Sequence, residues 1–429
     1  MKLKQELQKR NLIYQYTDEK LFEVYEKGGQ KLYIGVDPTA DSLQLGNLIP
    51  IMGAVNFMKR GNKLVLILGG ATWMIWDPGG KDTERQLKSI EEIRANGEKI
   101  KKQLQNILRR LEELAGQKLE FEVVNNYDFY KDMNILDFLR NVGKYITVNQ
   151  MIAKETVKRR IEDPDKSISY TEFSYMLLQG YDYLRLYQDK GVRLQLGGSD
   201  QWWNILTWIE LIGKALGKSD ARGFTVPLLT TSDGKKFGKS EGNAIWIDAN
   251  KNSPYFVYQY FVNATDEDVG KFLKVLTLLP LETIEEILFK HNQSPEKRYA
   301  QRRLAYEVVR FLFGEEAAEI AQKISELVFY TDSKTQLLKS LKPEQVEAVF
   351  DELGGAKIDP PIHILEALVA SWLASSKSDA RRAIVQWSVF VNDEKISDEN
   401  FVITDKDMVW DGLVFLRRWK KKFKILKRN

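Results

Sequence analysis

The chain has 429 residues, 43% hydrophobic and 29% charged, a composition typical of a globular protein with two or three domains. It has no cysteine, which excludes disulfide bonds, thiol catalysis and cysteine-rich zinc sites. Lys and Arg outnumber Asp and Glu by only four, 64 against 60, so the net charge does not by itself indicate a nucleic-acid partner. The N-terminus lacks a long apolar core, and no apolar run reaches the roughly 18 residues of a membrane span, so we expect a cytoplasmic protein.

The first half of the chain alternates short apolar runs with helical patterns. Residues 32–36 and 63–70 are apolar runs, and residues 47–61 between them repeat apolar side chains at helical spacing. Two further strand patterns cover residues 119–128 and 192–200, and each enters a polar loop. This alternation predicts an α/β fold with a doubly wound, mostly parallel sheet, which binds ligands at the carboxyl ends of its strands.

The second half of the chain changes to helical patterns and then to a small mixed unit. Ser253 and Pro254 predict the start of a helix, as N-cap and first helical residue. Helical patterns continue to residue 330, a polar stretch ending in GGAKIDPP follows, and a basic helix, SKSDARRAIVQ, precedes short strands. We therefore predict a catalytic domain at 1–249, a helical domain at 250–330, a linker at 331–358 and a C-terminal α+β domain at 359–429.

Positive charge is concentrated at residues 417–428, RRWKKKFKILKR. Trp419 and Phe423 are interleaved with the basic side chains, a pattern that indicates a surface for a polyanion. The alternative is a solvated, frayed tail.

Two loops in the first half contain residues suited to phosphate. The segment DPTADSLQLGNL follows a predicted strand and enters a helix, whose first N–H groups can hold an anion. The loop KKFGKSEGN presents Lys236, Lys239 and Ser240, which could clamp a triphosphate. The alternative for the second loop is an ordinary solvated connection.

The helical segment YTEFSYMLLQGYDYL has three polar side chains on one face. Tyr175, Gln179 and Asp182 follow each other at spacings of four and three residues. They could form a pocket for a small polar aromatic ligand, or they could be polar neighbours of a core stripe.

The order of five motifs resembles that of bacterial tyrosyl-tRNA synthetases, which are class I enzymes. The motifs are YIGVDPTADSLQLGNL, GGAT..I.DP.GK, SYTEFSYMLLQGYDYL, LQLGGSDQW.N and KKFGKS. The resemblance covers essentially the whole chain and implies a Rossmann-like catalytic domain, a helical domain and an S4-like RNA-binding module. It also implies a homodimer, with no membrane association.

The resemblance implies a two-step reaction without a covalent enzyme intermediate. The carboxylate of L-tyrosine attacks the α-phosphate of ATP, and the tyrosyl group of the resulting adenylate moves to the 3′ end of tRNA(Tyr). ATP is a substrate with Mg²⁺ as its counterion, and no protein-bound metal or prosthetic group is expected.

The resemblance also assigns roles to individual side chains. The tyrosine-binding residues would be Tyr33, Asp77, Tyr175, Gln179, Asp182 and Gln195. The adenylate-binding residues would be Asp37, Thr39, Gly46, Asp200 and Gln201. The catalytic residues around the triphosphate would be Lys236, Lys239, Ser240, Gln44, Asn47 and Thr39, with Lys239 also binding ATP. The RNA-binding residues would be Lys377, Arg381, Arg382, Arg417, Arg418 and Lys420.

The sequence departs from the family at several positions. Gln44 and Asn47 replace the two histidines of the nucleotide signature, and Tyr145 stands where the family usually has histidine. Two other functions therefore stay open: a catalytically impaired RNA-binding relative, and an adenylate-forming enzyme for another aromatic acid.

Tryptophan stands at seven positions where the family typically has glycine. Ordinary sequence drift from glycine to tryptophan is one interpretation, although overpacking by the larger side chain costs about 1–3 kcal/mol per site. Filling of the nucleotide site is a second interpretation. The hypothesis we prefer is a decoding mismatch, in which UGA codons for glycine are translated as tryptophan. The positions are Trp73, Trp76, Trp203, Trp208, Trp372, Trp387 and Trp419.

Overall fold

The computed structural model describes two compact units of the chain. One unit comprises Met1–Asn252 with Ala264–Leu304, and the other comprises Ser253–Asn263 with Ala305–Asn429. The helical segment 250–330 is thus divided between the two units. No helix among the described residues is long and apolar enough to cross a membrane. The described residues are 1–38, 40–75, 89–163, 167–234, 237–240, 243–330, 336–337, 340–386, 388–409, 412–419 and 422–429.

The first unit is built on a mostly parallel sheet, as the sequence predicts, and this sheet has six strands. The strand order is β1-β6-β5-β2-β3-β4, and all neighbours are parallel except β1 and β6. The chain continues outward from β2 through β3 to β4 and then returns to the other side of β2, so the topological switch point lies between β2 and β5. The strands are β1 Gln15–Tyr16, β2 Lys31–Val36, β3 Lys63–Leu68, β4 Phe121–Asn125, β5 Leu194–Gly198 and β6 Arg222–Val226.

The helices of the first unit have clear start and stop signals. Ser169 accepts a hydrogen bond from the main-chain N–H of Glu172 at the start of α10, and Gly191 ends α10 with φ +68°. These caps hold in place the helix that carries the predicted tyrosine-binding side chains. The helices are α1 Leu3–Lys9, α2 Lys20–Glu26, α3 Leu48–Met58, α4 Thr72–Ile75, α5 Ile90–Ala115, α6 Tyr127–Tyr130, α7 Ile135–Asn141, α8 Val148–Ile152, α9 Glu155–Glu162, α10 Tyr170–Lys190 and α11 Trp202–Leu216.

The remaining elements follow the sheet strand β6. A short hairpin comes first, and helices follow, beginning at α12, where Ser253 accepts from the N–H of Phe256 and Pro254 is the first helical residue, as predicted. The hairpin is β7 Lys239–Ser240 and β8 Asn243–Ala244, and the helices are α12 Pro254–Val262, α13 Asp266–Leu276, α14 Leu281–Asn292, α15 Tyr299–Phe313, α16 Glu315–Ser325 and α17 Pro343–Leu353.

The second unit contains a five-stranded sheet in the order β12-β11-β14-β15-β9. Strand β9 pairs in parallel with β15, and a Cβ atom on Gly355 would lie 1.6 Å from the carbonyl oxygen of Ile425, so only glycine permits this approach. The elements are β9 Gly355–Ile358, β10 Ile362–His363, α18 Ile364–Ala370, α19 Lys377–Val385, β11 Val389–Val391, β12 Glu394–Lys395, β13 Val402–Ile403, β14 Leu413–Arg418 and β15 Lys422–Arg428.

Two expectations about the C-terminal part differ from the structure. The predicted linker, residues 331–358, includes helix α17 and strand β9, because β9 finds its pairing partner far along the chain in β15. The frayed-tail interpretation of residues 417–428 is wrong, because β14 and β15 pair from Leu413 to Lys427. The basic run is therefore part of a sheet.

Candidate active site

A cavity of about 280 Å³ lies at the carboxyl ends of β2 and β5, at the switch point of the sheet. It is bounded by β2, β5, the start of α3 and the middle of α10. The structure thus brings together residues that the sequence predicts separately. The predicted site residues that line it are Tyr33, Asp37, Gly46, Asn47, Tyr175, Gln179, Asp182, Gln195, Asp200 and Gln201.

Two polar atoms in the cavity wall are buried without a hydrogen-bond partner among the described residues. They are the hydroxyl of Tyr33 on β2 and Oε1 of Gln195 on β5. Burial raises the pKa of Tyr33 well above its ordinary value, so its phenol is neutral. Buried polar atoms in native proteins are nearly always paired, so these two atoms mark a place for a polar ligand.

The carboxyl group of Asp182 faces the same cavity and is buried with two polar neighbours. Asn126 donates to Oδ2 over 2.9 Å, and the hydroxyl of Tyr130 lies 2.7 Å from Oδ1. Burial is the largest influence on this group and raises its pKa to about 7, although the two hydrogen bonds oppose the shift and Asp37 adds to it. Asp182 therefore titrates near neutral pH.

Asp37 lies at the end of β2 and accepts hydrogen bonds from two elements. The hydroxyl of Tyr175 on α10 donates over 2.7 Å and that of Thr72 over 3.2 Å. A Cβ atom on Gly69 would lie 2.0 Å from Oδ1 of Asp37. Gly69 of the GGAT motif thus permits the close approach of this carboxylate.

Amide side chains connect α10 with the start of α11. Gln179 donates to Oε1 of Gln201 over 3.3 Å, and Asn204 donates to the same oxygen over 3.0 Å. Gln201 in turn donates to Asp200 over 2.9 Å. These hydrogen bonds hold three predicted ligand-binding side chains before any ligand arrives.

The two predicted phosphate motifs are neighbours in the structure. The main-chain N–H of Leu45 donates to Ile245, and the N–H of Ile245 donates to Gly238 in the lysine-containing loop. Asn47 accepts from the N–H of Gln44 over 2.9 Å, which directs its NH₂ group away from that contact. Asn47 lines the cavity, whereas Gln44 is partly buried and is not among the lining residues.

Several predicted site residues lie outside what the structure describes. Of Lys239 and Ser240 only the backbone, in β7, is described. The others, all outside the described residues, are Thr39, Asp77, Lys236 and Lys420, together with Trp76 and Trp387.

Five of the six predicted RNA-binding residues are among the described residues, and they lie in the second unit, on α19 and β14. Lys377 and Arg381 are exposed and pair with glutamates, and Arg382 is the most exposed of the three. Arg417 stacks on Phe390, with 3.9 Å between guanidinium and ring centre.

Arg418 differs from the other predicted RNA-binding residues. Its guanidinium donates to both carboxylate oxygens of Asp379 and to the carbonyl oxygen of Leu373. The arginine is partly buried, and its bidentate pair joins β14 to α19. This geometry fits a structural role rather than contact with RNA.

Three polar residues of the site were missed by the sequence analysis: Thr72, Asn126 and Tyr130. The sequence could have predicted Asn126, because the polar segment NNYD stands at the carboxyl end of strand β4. Polar side chains at the carboxyl ends of parallel strands meet at one edge of the sheet. Tyr130 had no such signal, since its contact with Asp182 depends on how α6 packs against α10.

Two of the seven tryptophans lie near the site without lining the cavity. Trp73 is buried against Ile93, and Trp203, at the start of α11, is 73% exposed. Neither is among the cavity residues. The site-filling interpretation therefore has no support from these two residues.

A mostly parallel sheet with a cavity at its switch point is typical of nucleotide-binding α/β enzymes. The family model described as tRNA synthetases class I (W and Y) matches residues 26–330. A second model, the tyrosine–tRNA ligase SYY-like C-terminal domain, matches residues 345–426.

Individual relatives agree with the family models. The chain is 42% identical to tyrosine–tRNA ligase 2 of Enterococcus faecalis over 99% of this chain and 98% of that protein, and 42% identical to tyrosine–tRNA ligase 1 of Bacillus subtilis over 98% of each. The crystal structure of a C-terminally truncated mitochondrial tyrosyl-tRNA synthetase of Aspergillus nidulans matches with a TM-score of 0.70 and 32% identity, covering 76% of this chain and 94% of that one. The chain belongs to the class I tRNA synthetases, and within them to the tyrosine–tRNA ligases of bacterial type.

Proposed function

We propose that the cavity binds L-tyrosine and ATP and that the chain joins them to form tyrosyl-adenylate before charging tRNA(Tyr). The observation that carries this proposal is the pair of buried, unpartnered polar atoms, the Tyr33 hydroxyl and Gln195 Oε1, in one cavity with the Asp182 carboxyl. A phenol offers one donor and one acceptor, and these complement Asp182 and Tyr33.

The amino end of the substrate lies at the other side of the cavity in this proposal. Tyr175, Gln179, Asp77 and Gln195 hold the ammonium group. Hydrogen bonds from Tyr175 to Asp37 and from Gln179 to Gln201 support the proposal, because they orient these side chains in advance.

Activation proceeds by positioning and electrostatics. The tyrosine carboxylate attacks the α-phosphate of ATP, the bond to the β-phosphate breaks, and pyrophosphate leaves. Asn47 and Gln44 donate to the phosphates, and charge that builds on the leaving group is stabilised by Lys236, Lys239 and Ser240. Mg²⁺ enters with ATP as its counterion. Asp37, Thr39, Gly46, Asp200 and Gln201 hold the adenylate.

The tRNA binds through the second unit in this proposal. Exposed cations on α19, with Arg417 on β14 and Lys420, contact the RNA backbone, so binding weakens with salt. Arg418 supports this surface through Asp379. The reaction takes place in the cytoplasm.

A homodimer is the final part of the proposal. Short helices α7 to α9 expose apolar side chains that a partner would cover. They are Ile135, Leu136, Leu139, Val148, Ile152 and Ile161.

Tyrosine-dependent exchange of pyrophosphate into ATP tests the proposed function. Exchange with tyrosine is the expected result. Absence of exchange with retained, salt-sensitive tRNA binding would identify an impaired RNA-binding relative, and exchange with only another aromatic acid would identify a different substrate.

A further inference from the structure

The hydroxyl of Tyr130 lies between two oxygen atoms and has one proton. Asp182 Oδ1 and the main-chain carbonyl oxygen of Leu178 are both 2.7 Å from it. This is the ordinary distance of an O–H···O hydrogen bond, so each contact needs a proton. A carbonyl oxygen can only accept, and a phenol can donate only once. The second proton must therefore come from Asp182.

The other oxygen of Asp182 cannot carry that proton. Oδ1 of Asn126 accepts from the main-chain N–H of Ala71 over 2.7 Å, which fixes the orientation of the amide. Its NH₂ group then donates to Asp182 Oδ2 over 2.9 Å and to Thr72 over 3.1 Å. Oδ2 is thus an acceptor, and the proton belongs on Oδ1, facing Tyr130.

Burial and a neighbouring carboxylate favour the neutral form of the carboxyl, and they outweigh the hydrogen bonds from Asn126 and Tyr130. Tyr33 approaches from β2 with a neutral phenol, and Asp37 follows directly after the same strand. Tyr175 on α10 itself donates to Asp37, and Gln195 on β5 is uncharged. Burial and the charge of Asp37 both raise the pKa of Asp182.

We propose that Asp182 is protonated before tyrosine binds and donates a hydrogen bond to Tyr130, and that tyrosine binding releases the carboxyl proton to solvent. The substrate phenol then donates to the ionised carboxylate, and Tyr130 turns from acceptor to donor. A charge-assisted acceptor favours a hydroxyl more strongly than a neutral carboxyl does. Tyr130 is thus a positioning residue for tyrosine selection, an inference that rests on the proposed function.

Calorimetry of tyrosine binding in two buffers with different ionisation enthalpies measures the released proton. We expect about one proton per tyrosine at pH 6 and a value near zero above pH 8, because the carboxyl is then already ionised. Below pH 7, affinity should fall about tenfold per pH unit, since the ionised fraction falls by that factor. Tyrosine binding with no proton release and a constant affinity from pH 6 to 8 overturns this inference alone. Absence of tyrosine binding at every pH overturns the proposed function as well.

Two single-residue variants test whether Tyr130 is responsible for the pH dependence of tyrosine binding. Tyr130→Phe removes a hydroxyl that donates to the ionised carboxylate of Asp182. The carboxylate is then harder to form, so the pH below which the affinity for tyrosine falls should move upward. Tyr187→Phe is the matched control, because Tyr187 lies on α10, bonds to Asp220 and is not among the cavity residues. If the affinity for tyrosine changes with pH at the same midpoint in both variants, the proposed role of Tyr130 is contradicted. Circular dichroism of each variant checks that it is folded.

Discussion

Tyr33 and Tyr183 are buried side by side, with ring centres 5.0 Å apart, yet their hydroxyls have different surroundings. The hydroxyl of Tyr183 donates to the carbonyl oxygen of Arg222 over 2.8 Å. That of Tyr33 has no partner among the described residues and faces the cavity. One hydroxyl is therefore part of the folded scaffold, and the other awaits a ligand.

Tyr33→Phe should weaken tyrosine binding without lowering stability. Loss of the hydroxyl leaves the substrate oxygen unpaired, at a cost of about 1–3 kcal/mol, which raises KM roughly 5- to 150-fold. Tyr183→Phe is the matched control and should lower the free energy of unfolding by about 1 kcal/mol with little change in KM. Urea unfolding and exchange kinetics measure both quantities. The prediction fails if Tyr33→Phe loses stability instead of affinity.

Two of the tryptophans at family glycine positions have a backbone that glycine favours. Trp372 has φ +61° and Trp419 has φ +59°, and their side chains are 87% and 52% exposed. The left-handed conformation costs a residue with a Cβ about 1 kcal/mol, and exposed indoles contribute little packing. Trp208 differs, because its ring lies 2.6 Å from where a Cβ on Gly180 would be, in a buried contact.

Trp372→Gly and Trp419→Gly should each stabilise the chain by about 1 kcal/mol. Trp246→Gly is the control, because Trp246 is partly buried, with Lys251 above its ring, and has ordinary φ. That variant should destabilise. Thermal unfolding of the three variants gives the sign of each change, and a loss of stability in the first two contradicts the prediction.

The gene tests the decoding hypothesis independently of the protein. UGA codons at the seven family glycine positions support it if Trp202 and Trp246, which match family tryptophans, have other codons. UGG at the seven positions contradicts it.

At the level of elements, a buried ion pair connects α9 to α10. Arg160 and Glu172 are almost completely buried and 2.9 Å apart. Glu172→Ala leaves the guanidinium without its carboxylate and should cost about 3–5 kcal/mol, whereas the apolar double variant Arg160→Met, Glu172→Leu should recover most of the loss. Glu162→Ala breaks the exposed pair with Lys158 and should change stability by less than about 1 kcal/mol. Urea unfolding measures both losses of stability, and equal losses for Glu172→Ala and Glu162→Ala would contradict the prediction.

The local sequence pattern was sufficient to predict helices and strands, but it did not predict contacts between residues far apart in the chain. The face of α10 with Tyr175, Gln179 and Asp182 follows from spacing alone. The contact of Asp182 with Asn126 spans 56 residues and depends on strand order, so no local pattern reports it. The same holds for β9, whose polar sequence indicated a linker until its pairing with β15 was known.

For the whole molecule, the proposed dimer should depend on the apolar residues of α7 to α9. Leu136 is exposed there, and Leu136→Glu should yield monomers in sedimentation experiments because a buried charge opposes association. Phe289→Glu, on exposed α14, is the control and should leave the dimer intact. A monomeric unmodified chain, or a dimer unaffected by Leu136→Glu, contradicts the proposal.

In the proposed function, one cavity recognises tyrosine by its phenol and activates its carboxylate. Pyrophosphate exchange measured with tyrosine and with phenylalanine tests this proposal, because phenylalanine would leave the Tyr33 hydroxyl unpaired and has no hydroxyl to donate to Asp182. Tyrosyl-tRNA synthetases are themselves the standard example of this discrimination, about 10⁵-fold in kcat/KM. We predict a preference for tyrosine of that order. Equal exchange with the two amino acids would contradict recognition of the phenol by this cavity.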